Sequence, residues 1–152
     1  RPGISGTVHD AIKDADVFIG VSVGNLLCAD DVRRMNNDAI ILAMANPIPE
    51  ITPDEARKGG AAVIGTGRSD FPNQVNNVLA FPGIFRGAID ARATRINGRM
   101  KLAAVHALAN AVQNPSPDQI LPDPLDHSIA PLVAKAVEQA AIESGLSRVA
   151  TV

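Results

Sequence analysis

Four amide side chains that lie close together in the segment 67–87, GRSDFPNQVNNVLAFPGIFRG, form the leading candidate for a binding site in this sequence. The four residues are Asn73, Gln74, Asn76 and Asn77. Each side chain offers a carbonyl acceptor and an NH2 donor, so together they could hold a carboxylate or a carboxamide without adding charge. On the residues alone, a polar surface loop in which asparagines form turns is an equally good interpretation.

The elements that precede this segment alternate between strands and helices. Unbroken apolar runs predict buried strands at Val17–Val21 and Ala39–Ala45, and a third strand beginning at Ala61–Ile64. This alternation predicts an α/β fold with a Rossmann-like parallel sheet and flanking helices, which is part of a doubly wound domain. We expect the strands of such a sheet to be buried on both faces.

Capping residues mark the helices between these strands. Thr7, with Asp10 three residues later, predicts a brief helix over 7–15. Thr52 followed by Pro53 predicts the start of another helix, and Gly59 and Gly60 mark its end because glycine readily adopts the left-handed backbone found there.

The residues that follow the three predicted strands should meet at one edge of the sheet. They are Gly20–Asn25, Asn46–Pro49 and Thr66–Asp70. Ligands of open parallel sheets bind outside the carboxyl ends of the strands, so this convergence favours a binding site over a plain surface loop. The glycines at positions 20, 24, 65 and 67 could let a ligand approach the backbone, although ordinary turns explain them equally well. No GxGxxG fingerprint is present.

The second half of the chain is predicted to be helical. Pro82 opens one helix, and Asn97 caps a second that runs from Gly98 to Val112. A last helix begins after Ser128 and stops at Gly145. The Pro-rich connection 114–126 contains apolar residues, so we expect it to pack against the domain.

Composition excludes several classes of function. The net charge is −2 and the basic residues are dispersed, which argues against a nucleic-acid partner. No apolar run is long enough for a membrane span, so we expect no membrane partner. The single Cys28 excludes an intramolecular disulfide and fits a cytoplasmic location. The histidines have no metal-ligand spacing, and Cys28 lies beside two aspartates, which disfavours a reactive nucleophile.

Two blocks of sequence carry a resemblance to a known family. NNVLAFPGIFRGAID, preceded by ANPIPEITPDEA at Asn46–Ala56, resembles the second half of the cofactor-binding domain of malic enzymes, in particular the short bacterial type. The resemblance extends from Val8 to about Val149. We therefore expect one domain over residues 1–152, and because the chain opens at Arg1 without a methionine, we expect a fragment of a longer protein.

The resemblance implies roles for particular residues. In malic enzymes one segment lies along the dinucleotide, NAD or NADP. This segment resembles Gly20, Val21 and Ser22. Asn46 resembles the asparagine beside the nicotinamide ribose and the bound malate. Asn76 and Asn77 resemble the pair whose amides reach the nicotinamide and a substrate carboxylate.

The resemblance also implies that much of the catalytic apparatus lies upstream. This part includes the acid and base, the carboxylates that bind Mg2+ or Mn2+, the substrate arginine and the phosphate-binding loop. The chain has no tyrosine, which is one of the expected catalytic residues, so we expect it to be inactive alone. The implied partners are malate or pyruvate, the missing N-terminal part and a second copy of the protein in a dimer.

Two alternatives remain open. A malolactic enzyme would use the same domain to convert malate to lactate. A non-catalytic scaffold or regulatory module could keep the fold without the acid and base, and fold alone does not separate these possibilities.

Overall fold

The computed structural model describes residues 5–149, which divide into two compact units. The first unit contains the residues up to Val75 together with Ser116–Gln119, and the second contains Asn76–Pro115 together with the residues from Ile120 onward. The first unit is built around a β-sheet, and the second is helical.

The sheet of the first unit has three parallel strands in the order β1-β2-β3. They are β1 (Val17–Gly20), β2 (Ile40–Ala43) and β3 (Val63–Thr66). Gly20, Ala43 and Thr66 are partners in register, so the three strands end side by side. The predicted parallel α/β arrangement is confirmed, and the strand ends differ by a residue or two from the apolar runs.

Three short helices connect and flank these strands. They are α1 (Val8–Ala11), α2 (Ala29–Arg33) and α3 (Pro53–Gly59). The Thr52 hydroxyl accepts the Glu55 N–H at 3.4 Å, and Gly60 ends α3 in the left-handed conformation with φ 97°. Both ends of α3 were therefore predicted correctly from capping residues.

Helix α1 begins as predicted but is shorter. The Asp10 carboxylate accepts hydrogen bonds from the Thr7 N–H and the Thr7 hydroxyl, each at 2.9 Å. Asp14 has a left-handed backbone with φ 54°, which a right-handed helix cannot accommodate. The helix ends at Ala11 for this reason, and the predicted extension to residue 15 is wrong.

Only one face of the sheet is packed within the first unit. Ile41, Ala43 and Ile64 belong to a core to which all three helices of the unit contribute. On the other face, Val17 and Ile19 of β1 are 46% and 63% exposed. The prediction that β1 is buried on both faces is wrong for the described residues, because the helices of this unit pack against the opposite face.

The second unit contains a short 3-10 helix and three longer helices. They are the 3-10 helix Asn77–Leu79, α4 (Phe81–Asp90), α5 (Gly98–Ala111) and α6 (Ile129–Glu143). Met100 and Val133 are fully buried between these helices. At Gly87 a Cβ atom would stand 2.3 Å from the Ala134 carbonyl oxygen, so only glycine allows α4 to approach α6 this closely.

The ends of the long helices follow the predicted signals with one exception. The Asn97 side chain accepts the Met100 N–H at 2.9 Å, and Gly145 ends the last helix region with φ 67°. Ser128 occupies the predicted position before α6, but its side chain makes no capping bond. Its N–H is instead bonded to the Asp126 carboxylate at 2.8 Å, which fixes the turn that leads into the helix.

The Pro-rich connection 114–126 is packed against the chain, as predicted. Ser116–Gln119 belongs to the first unit, where Arg57 forms an ion pair with Asp118 at 3.5 Å. Leu121 packs against the core of the second unit. The segment is therefore part of the folded structure and not a free tether.

Candidate functional site

A buried carboxylate lies at the carboxyl edge of the sheet. Glu50 is 0% exposed and accepts three hydrogen bonds. Its Oε1 atom accepts the Ser22 N–H at 2.7 Å and the Ser22 hydroxyl at 3.1 Å, and its Oε2 atom accepts the Ala45 N–H at 3.0 Å. One side chain therefore joins the loop that follows β1 to the loop that follows β2.

Backbone hydrogen bonds join the same two loops. The Asn25 N–H donates to the Pro49 carbonyl and the Leu27 N–H to the Glu50 carbonyl, each at 2.9 Å. A Cβ atom at Gly24 would stand 2.8 Å from the Ile48 carbonyl oxygen. The two loops consequently form one closely packed layer at the end of the sheet.

Gly20 provides the space for the Glu50 side chain. A Cβ atom at position 20 would stand 2.5 Å from the Glu50 Cδ atom, well inside contact distance. The space beside Gly65 is also occupied, because the Leu42 side chain lies 3.0 Å from the Cβ position of residue 65. On the Cβ side, protein atoms therefore occupy the space beside glycines 20, 24 and 65, so a ligand could not approach their backbone from that side. Among glycines 20, 24, 65 and 67, only Gly67 is open, with its nearest neighbour 3.8 Å away.

The ionisation of Glu50 determines what Ser22 can offer a ligand. Burial alone would raise the pKa of Glu50, but the hydrogen bonds from Ser22 and Ala45 outweigh it, so the pKa lies below its ordinary value. An ionised carboxylate only accepts, so the Ser22 hydroxyl must donate inward. Ser22 is exposed, and its oxygen lone pairs remain to accept a hydrogen bond from a ligand.

Asn46 and Val21 are exposed on these two loops. Val21 follows β1 directly and is 78% exposed. Asn46 precedes a cis peptide bond to Pro47, and its side chain makes no hydrogen bond to any residue that the structure describes. Both the donor and the acceptor of the Asn46 amide are therefore available to a ligand.

The structure divides the four amide side chains of the segment 67–87 between the two units. Asn73 is buried, with its NH2 group donating to the Ile64 carbonyl at 3.0 Å and to the Pro117 carbonyl at 2.8 Å. The hypothesis that Asn73 holds a ligand is wrong, because both NH2 donors bind the protein backbone. Gln74 pairs with Thr66 in an isolated parallel bridge and so extends the sheet edge.

Asn76 and Asn77 belong to the second unit, at the start of its 3-10 helix. The Asn76 Oδ1 atom accepts the Val78 N–H at 3.0 Å, which leaves the NH2 group as the part of this amide that can donate to a ligand. Asn77 is exposed and its side chain is unbonded among residues 5–149.

Cys28 is part of a structural cluster. Its thiol and N–H donate to the Asp31 Oδ2 atom at 3.4 and 3.0 Å, and His9 Nδ1 contacts Asp31 Oδ1 at 2.8 Å. Cys28 thus caps α2. The bond between His9 and Asp31 could not be foreseen, because 22 residues separate them.

The described residues offer no metal site and no membrane helix. No group of three or more His, Cys, Asp or Glu side chains within residues 5–149 could hold a metal ion. The donor set of these residues therefore does not fit the divalent metal that the resemblance implies. In the same residues, none of the helices has the length and apolar character needed to cross a bilayer.

Sequence reasoning missed Glu50 as a functional residue. A signal was present, since a single carboxylate lies in the otherwise apolar stretch IPEI that follows the second strand. A buried charge at such a place needs several donors, and strand-end loops can provide backbone N–H groups. The pattern alone could not show which loop donates.

Comparisons with known proteins show which family this chain is similar to. The family model "Malic enzyme, NAD binding domain" matches residues 5–142. The chain is 60% identical over 146 residues to the bifunctional malic/malolactic enzyme of Bacillus subtilis, covering 95% of this chain and 36% of that enzyme. It is 48% identical over 159 residues to the NADP-dependent malic enzyme of Halomonas elongata, covering 93% and 38%.

A solved structure extends the likeness to three dimensions. The crystal structure of malic enzyme from Pyrococcus horikoshii matches with a TM-score of 0.94 at 45% identity, covering 97% of this chain and 35% of that one. The chain thus spans little more than a third of the length of these proteins. By the extent of the family match and the identities, this chain belongs to the malic enzyme NAD-binding domain family.

Proposed function

We propose that this chain forms part of an NAD(P)-dependent malic enzyme that oxidatively decarboxylates malate to pyruvate. The observation that carries the proposal is the pair of loops locked together by Glu50, which exposes Ser22 and Asn46 at the carboxyl edge of the sheet. This edge is where ligands of open parallel sheets bind, and the family match names a NAD-binding domain.

The residues present suit a nicotinamide nucleotide. When bound, the nicotinamide would accept the hydride from C2 of malate. Gly20, Val21 and Ser22 would lie along the dinucleotide, with the Ser22 oxygen accepting from a ribose hydroxyl or the carboxamide. The Ser22 N–H is already bonded to Glu50, so this loop does not present that donor to a phosphate group.

The asparagines would orient the ligands without adding charge. Asn46 would contact both the nicotinamide ribose and malate through its available amide. Asn76 would donate to the nicotinamide or a malate carboxylate through its NH2 group, and Asn77 would bind a malate carboxylate. Neutral amides are suited to this role because they leave the carboxylate charge to be neutralised by other groups.

We further propose that the catalytic acid and base, the Mg2+ or Mn2+ ligands and the phosphate-binding loop belong to the rest of a longer protein. Val17 and Ile19, exposed on one face of β1, would be covered by that portion or by a second copy of the protein. Such a protein would be cytoplasmic and dimeric, and the 152-residue chain alone would be inactive.

A malolactic activity is the second candidate. It is favoured by the 60% identity to the bifunctional malic/malolactic enzyme of Bacillus subtilis. Both reactions begin with the same oxidation of malate, and they differ in whether the reduced cofactor is released or used to reduce pyruvate to lactate.

Product analysis with the full-length protein separates these candidates. The protein would be incubated with L-malate, Mn2+ and either NAD or NADP while reduced cofactor, pyruvate and lactate are measured together. Pyruvate in equal amount to NAD(P)H supports a malic enzyme and identifies the cofactor, whereas lactate without net reduction supports a malolactic enzyme. No product from a folded, metal-loaded protein would contradict both and favour a non-catalytic module.

A further inference from the structure

We propose that Glu50 is a positioning residue that sets the arrangement of the two ligand-binding loops at the sheet edge. This inference rests on the proposed function, because it concerns the loops assigned to the dinucleotide and malate. Glu50 is assigned no contact with either ligand. Its role is to hold Ser22 and the chain beside Asn46 in one relative position.

The Glu50 carboxylate is hydrogen-bonded to both loops at once. Each oxygen atom faces a different loop: Oε1 accepts from Ser22, and Oε2 accepts from the Ala45 N–H, one residue before Asn46. Bonds between backbone N–H groups and an ionised carboxylate are shorter and stronger than neutral ones. A shift of either loop would leave a fully buried carboxylate with an unmatched oxygen, which is costly.

The Glu50 side chain also fits tightly into the space beneath the end of β1. The absent Cβ of Gly20 is what allows the Glu50 side chain to lie under the end of β1. The backbone of Glu50 takes part as well, since its carbonyl accepts the Leu27 N–H at 2.9 Å. Glu50 is therefore fixed from both its main chain and its side chain, and it has little freedom to follow a moving loop.

Glutamine cannot reproduce these bonds although it has the same shape. Glutamine has one acceptor oxygen and one NH2 group. The NH2 group, a donor, would therefore meet the donor of one loop, either Ser22 or the Ala45 N–H. Aspartate keeps both acceptors and the charge, but it is one methylene shorter and cannot reach both loops. The two variants thus disturb the same bonds in different ways.

The test uses Glu50→Gln in the full-length protein, with Glu55→Gln as the matched control. Glu55 lies on α3, is partly exposed and pairs with Lys58 at 2.9 Å, and it makes none of the side-chain bonds to Ser22 and Ala45 that join the two loops. We expect E50Q to raise the Kd for NAD(P)H and the KM for malate about tenfold, since small displacements of positioning groups have effects of this size. We expect E55Q to leave both unchanged.

A second readout reports on the loops without requiring activity. Hydrogen–deuterium exchange in peptides covering residues 20–27 and 44–50 of the ligand-free protein should be faster in E50Q and unchanged in E55Q. A folded E50Q with unchanged Kd and KM would show that Glu50 only stabilises the fold and would overturn the inference. Unchanged exchange in both peptides would also overturn it.

Three further outcomes are distinguishable. If E50Q does not accumulate as folded protein, E50D takes its place and is held to the same outcomes. If the wild-type protein neither binds dinucleotide nor converts malate, the proposed function fails and this inference fails with it. If the wild type binds and E50Q binds equally well, only this inference fails.

Discussion

The Glu50 side chain fills the space that a side chain on Gly20 would need at the end of β1. A Cβ atom on residue 20 would lie 2.5 Å from the Glu50 Cδ atom. Neither residue can be understood without the other, although 30 residues of chain separate them. The glycine is required because the carboxylate is there, and the carboxylate joins the two loops that carry Ser22 and Asn46.

Replacing Gly20 with alanine should therefore displace the Glu50 side chain. We expect Gly20→Ala to lower the free energy of unfolding by about 1–3 kcal/mol, as is usual for overpacking a buried site. Chemical denaturation measures the change. Gly98→Ala is the control, because nothing lies within 4 Å of its Cβ position, and it should stabilise by about 0.4–1 kcal/mol. Equal effects at both positions would contradict the close packing of Gly20 on Glu50.

The stability that Glu50 contributes should depend on pH in the acid range. Its pKa in the folded state lies below the ordinary value of 4.5, so the unfolded chain takes up a proton first as the pH falls. The contribution is complete above that ordinary value and is lost as the pH falls through the folded pKa. Denaturation of the wild type and E50Q between pH 7 and pH 3 should therefore show a difference that shrinks in acid. A difference that grows in acid would be incompatible with an ionised, hydrogen-bonded Glu50.

Asn73 and Asn77 lie four positions apart, and replacing each with alanine should affect different properties: stability at position 73 and malate binding at position 77. Asn73→Ala removes two bonds to backbone carbonyls and places alanine at φ 54°, so we expect a loss of about 2–4 kcal/mol. Asn77→Ala should change stability by less than about 0.5 kcal/mol, because Asn77 is exposed. It should instead raise the KM for malate in the full-length protein. Thermal unfolding and steady-state kinetics measure the two effects, and a stable N73A variant would refute the structural role of Asn73.

The fold could be predicted further than the site. Apolar runs and caps such as Thr52 and Asn97 act locally, so the parallel strands and most helix ends followed from the sequence. The bonds made by Asn73, Glu50 and His9 join residues that are distant in the chain. Their partners depend on how the loops fold back on each other, which no local pattern contains.

The sequence alone does not distinguish the buried Asn73 from the neighbouring amide residues. The residue types of the amide cluster are alike, and only the fold decides which side chains point inward. The prediction that β1 is buried on both faces failed for a different reason. The apolar run correctly predicted a strand suited to burial on both faces, whereas within the described residues one of those faces is uncovered at Val17 and Ile19.

The isolated 152-residue chain should bind dinucleotide weakly or not at all. In the proposed function the phosphate-binding loop belongs to the rest of a longer protein, and the exposed Ser22 and Asn46 would not replace it. Fluorescence titration with NADH is well suited to this chain, because it contains no Trp and no Tyr. Tight binding by the isolated chain would mean that a phosphate site lies within these residues.

The most direct test of the central claim compares Asn46→Ala with Asn37→Ala in the full-length protein, assayed with L-malate, Mn2+ and NAD or NADP. Asn46 follows β2 at the proposed ligand edge, whereas Asn37 is an exposed residue in the turn before β2. We expect N46A to raise the KM for malate about tenfold or more, because hydrogen bonds to a charged ligand are lost, and N37A to match the wild type. If N46A and N37A are kinetically indistinguishable, the strand-end loops of this chain do not form the malate site.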